Sequence, residues 1–142
     1  MNTKKLVWCC AAACLLMLSG CKPFYQKMVE GEWKVDTYYK NGSDDTTGFL
    51  VLFGDYTITF YSNGDFVEEY LALNIVPTTN TGTWVIERKS DGRIGELQLR
   101  LTDESQVRTF DIKEISRDTI NIYRPLGEGE DEEFFLEHPP EA

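Results

Sequence analysis

Four cysteines and one histidine are the only side chains here that could act as a thiol or imidazole catalyst or build a Cys/His zinc site. Cys9, Cys10 and Cys14 fall within the charge-free run Leu6 to Leu18, and Cys21 follows that run after Ser19 and Gly20. His138 stands between Glu137 and Pro139 near the end, where neither a triad nor a zinc site has partners. No G-x-S-x-G, H-E-x-x-H or phosphate-binding glycine loop occurs. No catalytic residue, metal ligand or cofactor is therefore expected, and the chain is read as a non-enzyme. The remaining chemistry belongs to Glu69, Arg108 and Arg124, charged residues that a period-two alternation aims inward among apolar neighbours. They could bind the polar end of a ligand, or Glu69 could simply pair with one of the arginines.

Short alternating strands must position these residues. Gly31 to Tyr39 alternates with Trp33, Val35 and Thr37 on one face, and Asn41-Gly42 breaks it. From residue 45 to 53 the period changes: Asp45 or Thr46 could cap a helical turn that puts Phe49, Leu52 and Phe53 on one side, the alternative being a strand from Phe49 to Phe53. Asn63-Gly64 reads as a two-residue type I′ hairpin turn. That turn sets Phe60 opposite Val67, Ile58 opposite Glu69 and Tyr56 opposite Leu71, and directly opposed residues share a face. Tyr56, Ile58, Phe60, Val67, Glu69, Leu71 and Leu73 then point inward, while Thr57, Thr59, Tyr61, Phe66, Glu68 and Tyr70 point out.

After Pro77 and a Thr/Asn/Gly loop, a strand opens at Gly82-Thr83-Trp84, and Ser90-Asp91-Gly92 turns it. Leu97, Leu99 and Leu101 alternate inward; Arg108 shares a face with Phe110 and Ile112, and Arg124 with Ile120 and Ile122 until Pro125 ends the run. Phe134-Phe135-Leu136 forms the last apolar cluster. The acidic run Glu128, Glu130, Asp131, Glu132 and Glu133 reads as a solvated segment. Seven or eight short strands with tight turns are the signature of an all-β antiparallel up-and-down barrel, which removes its edges by closing on itself.

Lys4 and Lys5, the run Leu6 to Leu18 and Leu18-Ser19-Gly20-Cys21 have the layout of an export signal, too short to span a bilayer comfortably. They resemble the bacterial lipoprotein signal, which implies cleavage before Cys21 and acylation of its thiol, anchoring the chain to a membrane. Residues 1–20 are then the signal peptide, 21–29 the lipidated N-terminus and spacer, 30–137 the barrel and 138–142 a tail. Loss of the signal removes two lysines and three cysteines, leaving 12 basic against 24 acidic residues. So acidic a surface disfavours nucleic acid, and a barrel without thiols has no disulfide. No acidic residue stands between Cys21 and Glu30, a departure from the surface lipoproteins of one large group of Gram-negative bacteria, which resemble one another in an acidic export tag just after the cysteine. The outer membrane is expected, on its periplasmic face, the cell surface being the alternative, and a monomer is expected.

Gly31-x-Trp33, Phe60-x-x-Asn63-Gly64, Gly82-Thr83-Trp84 and Ile115-x-x-Asp118-Thr119-Ile120, together with the lipoprotein-like start, resemble the lipocalin-like lipoproteins of Gram-negative bacteria from about Glu30 to Leu136. The resemblance implies an eight-stranded barrel, a helical turn before the Asn-Gly hairpin, and an arginine stacked on Trp33. Arg124 is the candidate for that arginine. No Thr-Asp-Tyr loop and no long C-terminal helix follow the family's pattern.

Two roles fit. An eight-stranded barrel is just wide enough to be filled by its own side chains or to hold one small ligand. Glu69, Arg108 and Arg124 would then bind a small hydrophobic or amphipathic ligand among Trp33, Phe60, Trp84 and Phe110. Alternatively Tyr61, Phe66 and Tyr70, read as three aromatics on one outer hairpin face, would dock the protein on another envelope protein as an accessory or scaffold.

Overall fold

The computed structural model of the protein describes residues 21–89, 94–103 and 105–141. The inferred signal peptide and the turn read at Ser90-Asp91-Gly92 lie outside the described residues, as does the Cys21 side chain. Among the described residues, two helices and nine strands run in chain order as α1 (Cys21–Val29), β1 (Gly31–Lys40), β2 (Ser43–Asp44), α2 (Thr46–Leu52), β3 (Phe53–Phe60), β4 (Asp65–Ala72), β5 (Val76–Glu87), β6 (Gly95–Leu101), β7 (Val107–Ile115), β8 (Thr119–Gly127) and β9 (Glu130–Glu137). From β3 to β9 every strand pairs antiparallel with the next, and β1 bridges the gap by pairing with both β3 and β9. The result is a closed eight-stranded meander, with β2 a two-residue appendage on β1.

The barrel has a packed floor and an open mouth. At the floor Val29, Trp33 and Phe66 are completely buried with Ile86, Leu97 and Ile120. The expected spacer is in fact helical: α1 turns Tyr25 and Val29 into the core, and the Val29 carbonyl accepts the Trp33 indole N–H at 2.8 Å. A segment that short gives too few turns for periodicity to reveal it. At the mouth end, α2 covers the rim with Phe49 buried and Leu52 exposed, while Phe53 already belongs to β3. Asp45 occupies the N-cap without a side-chain bond; the Asp44 carboxylate instead accepts the Thr46 N–H at 3.0 Å and its hydroxyl at 2.7 Å.

The β3–β4 hairpin departs from the expected register by one residue. Gly64 N–H donates to the Tyr61 carbonyl at 3.0 Å and Tyr61 N–H to the Asp65 carbonyl at 2.9 Å, and only Gly64, at φ +92°, is left-handed in the loop. This is a three-residue connection ending in a glycine bulge, where a type I′ turn would need positive φ at Asn63 as well. Asn63 instead spends its side chain on Asp65, accepting the backbone N–H at 3.0 Å. Trp84 fastens the loop from β5, donating its backbone N–H to Gly64 and its indole N–H to Tyr61.

Phe60 consequently faces Phe66, Ile58 faces Glu68 and Thr57 faces Glu69. Because side chains alternate, the slip turns all of β4 over: Phe66, Glu68 and Tyr70 point inward and Glu69 points out. The inward residues assigned to β3 keep their places. The Thr/Asn stretch after Pro77 is not a loop but the first half of β5, paired with β4 from Val76 to Thr83. Gly82 of that strand lies against Phe66, and a Cβ there would stand 2.0 Å from the Arg100 carbonyl oxygen.

Candidate functional site

Above the floor the wall encloses a cavity of about 290 Å³ that opens at the mouth. Phe49, Phe53, Tyr70 and Phe134 form much of its aromatic lining. A bulge supplies part of it: Asp55, at φ +50°, is the extra residue where β3 passes Tyr70, so Phe53 and Tyr56 both reach the cavity although three positions apart.

Two ion pairs cross this interior. Glu68 on β4 is only 5% exposed. Its carboxylate accepts the Tyr56 hydroxyl at 2.7 Å, the Asn80 amide at 2.8 Å, and Arg108 Nη1 at 3.1 and 3.2 Å. Each oxygen thus has two donors, the condition under which a buried charge is tolerated. Burial, then the adjacent Glu68 charge and the hydrogen bond to it, push the Tyr56 phenol well above its ordinary pKa. Glu132 on β9, also buried, takes Arg124 Nε at 2.6 Å and Nη2 on one oxygen, and the Tyr38 hydroxyl at 3.2 Å on the other. Arg124 lies over the Phe110 ring at 4.9 Å. Burial first, then the charge of Glu132, push the Tyr38 phenol up to about 12.

Of the expected ligand contacts, Arg108, Arg124, Phe60 and Phe110 line the cavity. Glu69 does not: the register slip puts Glu68 in the inward place and leaves Glu69 exposed between Thr57 and Thr79. Trp33 and Trp84 lie in the floor below, Trp84 edge-on to Phe60 at 5.3 Å. The expected aromatic docking face does not form either. Phe66 is wholly buried and Tyr70 lines the cavity, which leaves Tyr61 alone on the surface. Sequence reasoning missed both inward glutamates, Glu68 through the register slip and Glu132 although it stands two and four positions before Phe134 and Leu136 on the inward face. The acidic run around it hid that alternation.

His138 takes the position that the family resemblance gave to an arginine. Its ring stacks on Trp33 with centroids 3.7 Å apart, and Nδ1 lies 2.8 Å from the Glu32 carbonyl. A carbonyl only accepts, so Nδ1 carries the proton there. Arg124 stays with Glu132 and Phe110.

No protein-family model matches the chain, and no curated protein does. Among solved structures it is similar to a lipocalin-like protein from Bacteroides uniformis ATCC 8492, with a TM-score of 0.55 at 16% identity over 78% of this chain and 99% of that one. An uncharacterized protein from Bacteroides eggerthii DSM 20697 is similar at a TM-score of 0.52 and 14% identity, over the same shares. The fold is lipocalin-like.

Proposed function

We propose that this is a lipid-anchored envelope protein whose barrel binds a small hydrophobic or amphipathic ligand. The cavity carries this reading: about 290 Å³ of open space above a packed floor, aromatic in its walls, with a few fixed polar groups. That is the ordinary make-up of a small-ligand site, at the lower end of its size range. The test is displacement of an apolar fluorescent probe, N-phenyl-1-naphthylamine, from the purified protein. Saturable uptake in the wild type, lost in Leu99→Trp, where the new ring fills the cavity, supports the reading. Absence of uptake, or uptake indifferent to Leu99→Trp in a folded variant, overturns it.

The anchor rests on Leu18-Ser19-Gly20-Cys21 and on the acyl chains that such a cysteine receives. No helix among the described residues is long and apolar enough to cross a membrane. Cells fed labelled palmitate should label the wild type and not Cys21→Ala, with the variant leaving the membrane fraction. Protease added to intact cells separates the periplasmic face, which we favour, from the cell surface.

A further inference from the structure

We infer that the ligand is seated through a lateral opening between β7 and β8, and that its head is polar but uncharged; this rests on the cavity reading above. β7 and β8 pair only from Asp111–Tyr123 to Ile115–Ile120. Toward the mouth, Val107 to Phe110 and Arg124 to Gly127 have no ladder between them. Pro125 accounts for this. Continuing the register would set it opposite Thr109, and it has no N–H to donate. A cleft of about 430 Å³ occupies the gap, lined by Val107, Thr109 and Pro125. Arg108 and Arg124 belong to the lining of both this cleft and the cavity, so the wall between the two spaces here is one residue thick.

Charge decides the head. Each guanidinium already answers a buried carboxylate, so the two pairs sum to zero, and the cleft is bordered by Glu96, itself paired with Lys89, and by Asp111. A carboxylate or phosphate head would either displace Glu68 or Glu132 and strand it, desolvated and unpaired, or add an uncompensated anion beside it. A cationic head would meet the two arginines at short range. A hydroxyl, ester or amide head suits what is offered. Arg108 engages Glu68 through Nη1, while Arg124 engages Glu132 through Nε and Nη2. The remaining guanidinium N–H groups, and the strand edges that the missing ladder leaves, can bond such a head without disturbing either pair.

The experiment ranks three ligands with one twelve-carbon chain, monolauroylglycerol, laurate and dodecyltrimethylammonium, by probe displacement below their micelle concentrations. Monolauroylglycerol should bind about tenfold more tightly than either ion, or better, and Glu68→Gln and Glu132→Gln should narrow its lead over laurate by freeing an arginine. Pro125→Val, which supplies the missing N–H, should slow ligand exchange several-fold by letting the ladder extend. Laurate or the cation binding as well as the neutral lipid overturns the uncharged head while leaving the cavity reading intact. Exchange unchanged in Pro125→Val overturns the lateral route. Displacement by none of the three, with no probe uptake, overturns the cavity reading itself. The wild-type ranking decides the head even if a glutamine variant fails to fold.

Discussion

Glu68 and Glu132 hold the interior by being fully answered, and their removal exposes what they answer. Glu68→Ala leaves Arg108, whose side chain is 29% exposed, and the Tyr56 and Asn80 donors without their acceptor, and should cost about 2 kcal/mol in urea denaturation. The double change Glu68→Met with Arg108→Leu removes both charges and should recover most of that loss; a double variant as unstable as the single one refutes the pairing argument. Alkaline pH gives a second test. The Tyr38 phenol titrates near 10.0 in the unfolded chain and at about 12 in the fold, so its contribution is complete below pH 10 and is lost as pH rises toward 12. Stability should therefore decline across that window, less steeply in Tyr38→Phe, as read by denaturation at several pH values. The inward arginines were legible in the sequence because each breaks a clean alternation, Arg108 before Phe110 and Arg124 after Ile122. The inward glutamates were not. Glu68 and Glu69 are adjacent, so alternation alone cannot choose between them, and Glu132 stands among other acids.

At the level of the element, the loop from Tyr61 to Gly64 decides which face of β4 is wet. Gly64→Ala, forced to φ +92°, should cost about 1 kcal/mol. Gly82→Ala should cost more, about 3 kcal/mol, because its methyl meets the Arg100 carbonyl, which the β5–β6 ladder holds in place. Thermal unfolding ranks the two, and equal losses contradict the geometry. Strands β6 to β8 were readable because their inward positions are almost all apolar and both neighbours agree. The hairpin misled because Asn-Gly serves two turn types of different length, and contacts from Trp84 on a later strand fix the choice. The first half of β5 read as a loop because the residues opposite inward Tyr70 and Glu68, Thr78 and Asn80, are polar; Asn80 is a donor to Glu68.

For the whole molecule, closure depends on β1 reaching both neighbours and on the clasp between Trp33 and His138. His138→Ala should cost about 1–2 kcal/mol through loss of the stack and of the bond to Glu32, and should change the tryptophan emission. An unchanged spectrum and midpoint would show the clasp to be idle. The closed meander could be read from strand count and turn spacing. Its hollow could not, because the empty volume depends on the bulge at Asp55 and on charge pairs spanning distant strands, neither of which leaves a periodic trace.

The first and last barrel strands finish side by side at the floor, where a Cβ on Gly31 would lie 3.3 Å from the His138 ring. A linker little longer than α1, roughly 13 Å, could therefore join His138 to Cys21. Cutting the turn Leu73 to Ile75 would then give a circular permutant with the same ladder throughout. Its new termini would emerge at the rim of the cavity, so a fluorophore fused there would report occupancy directly.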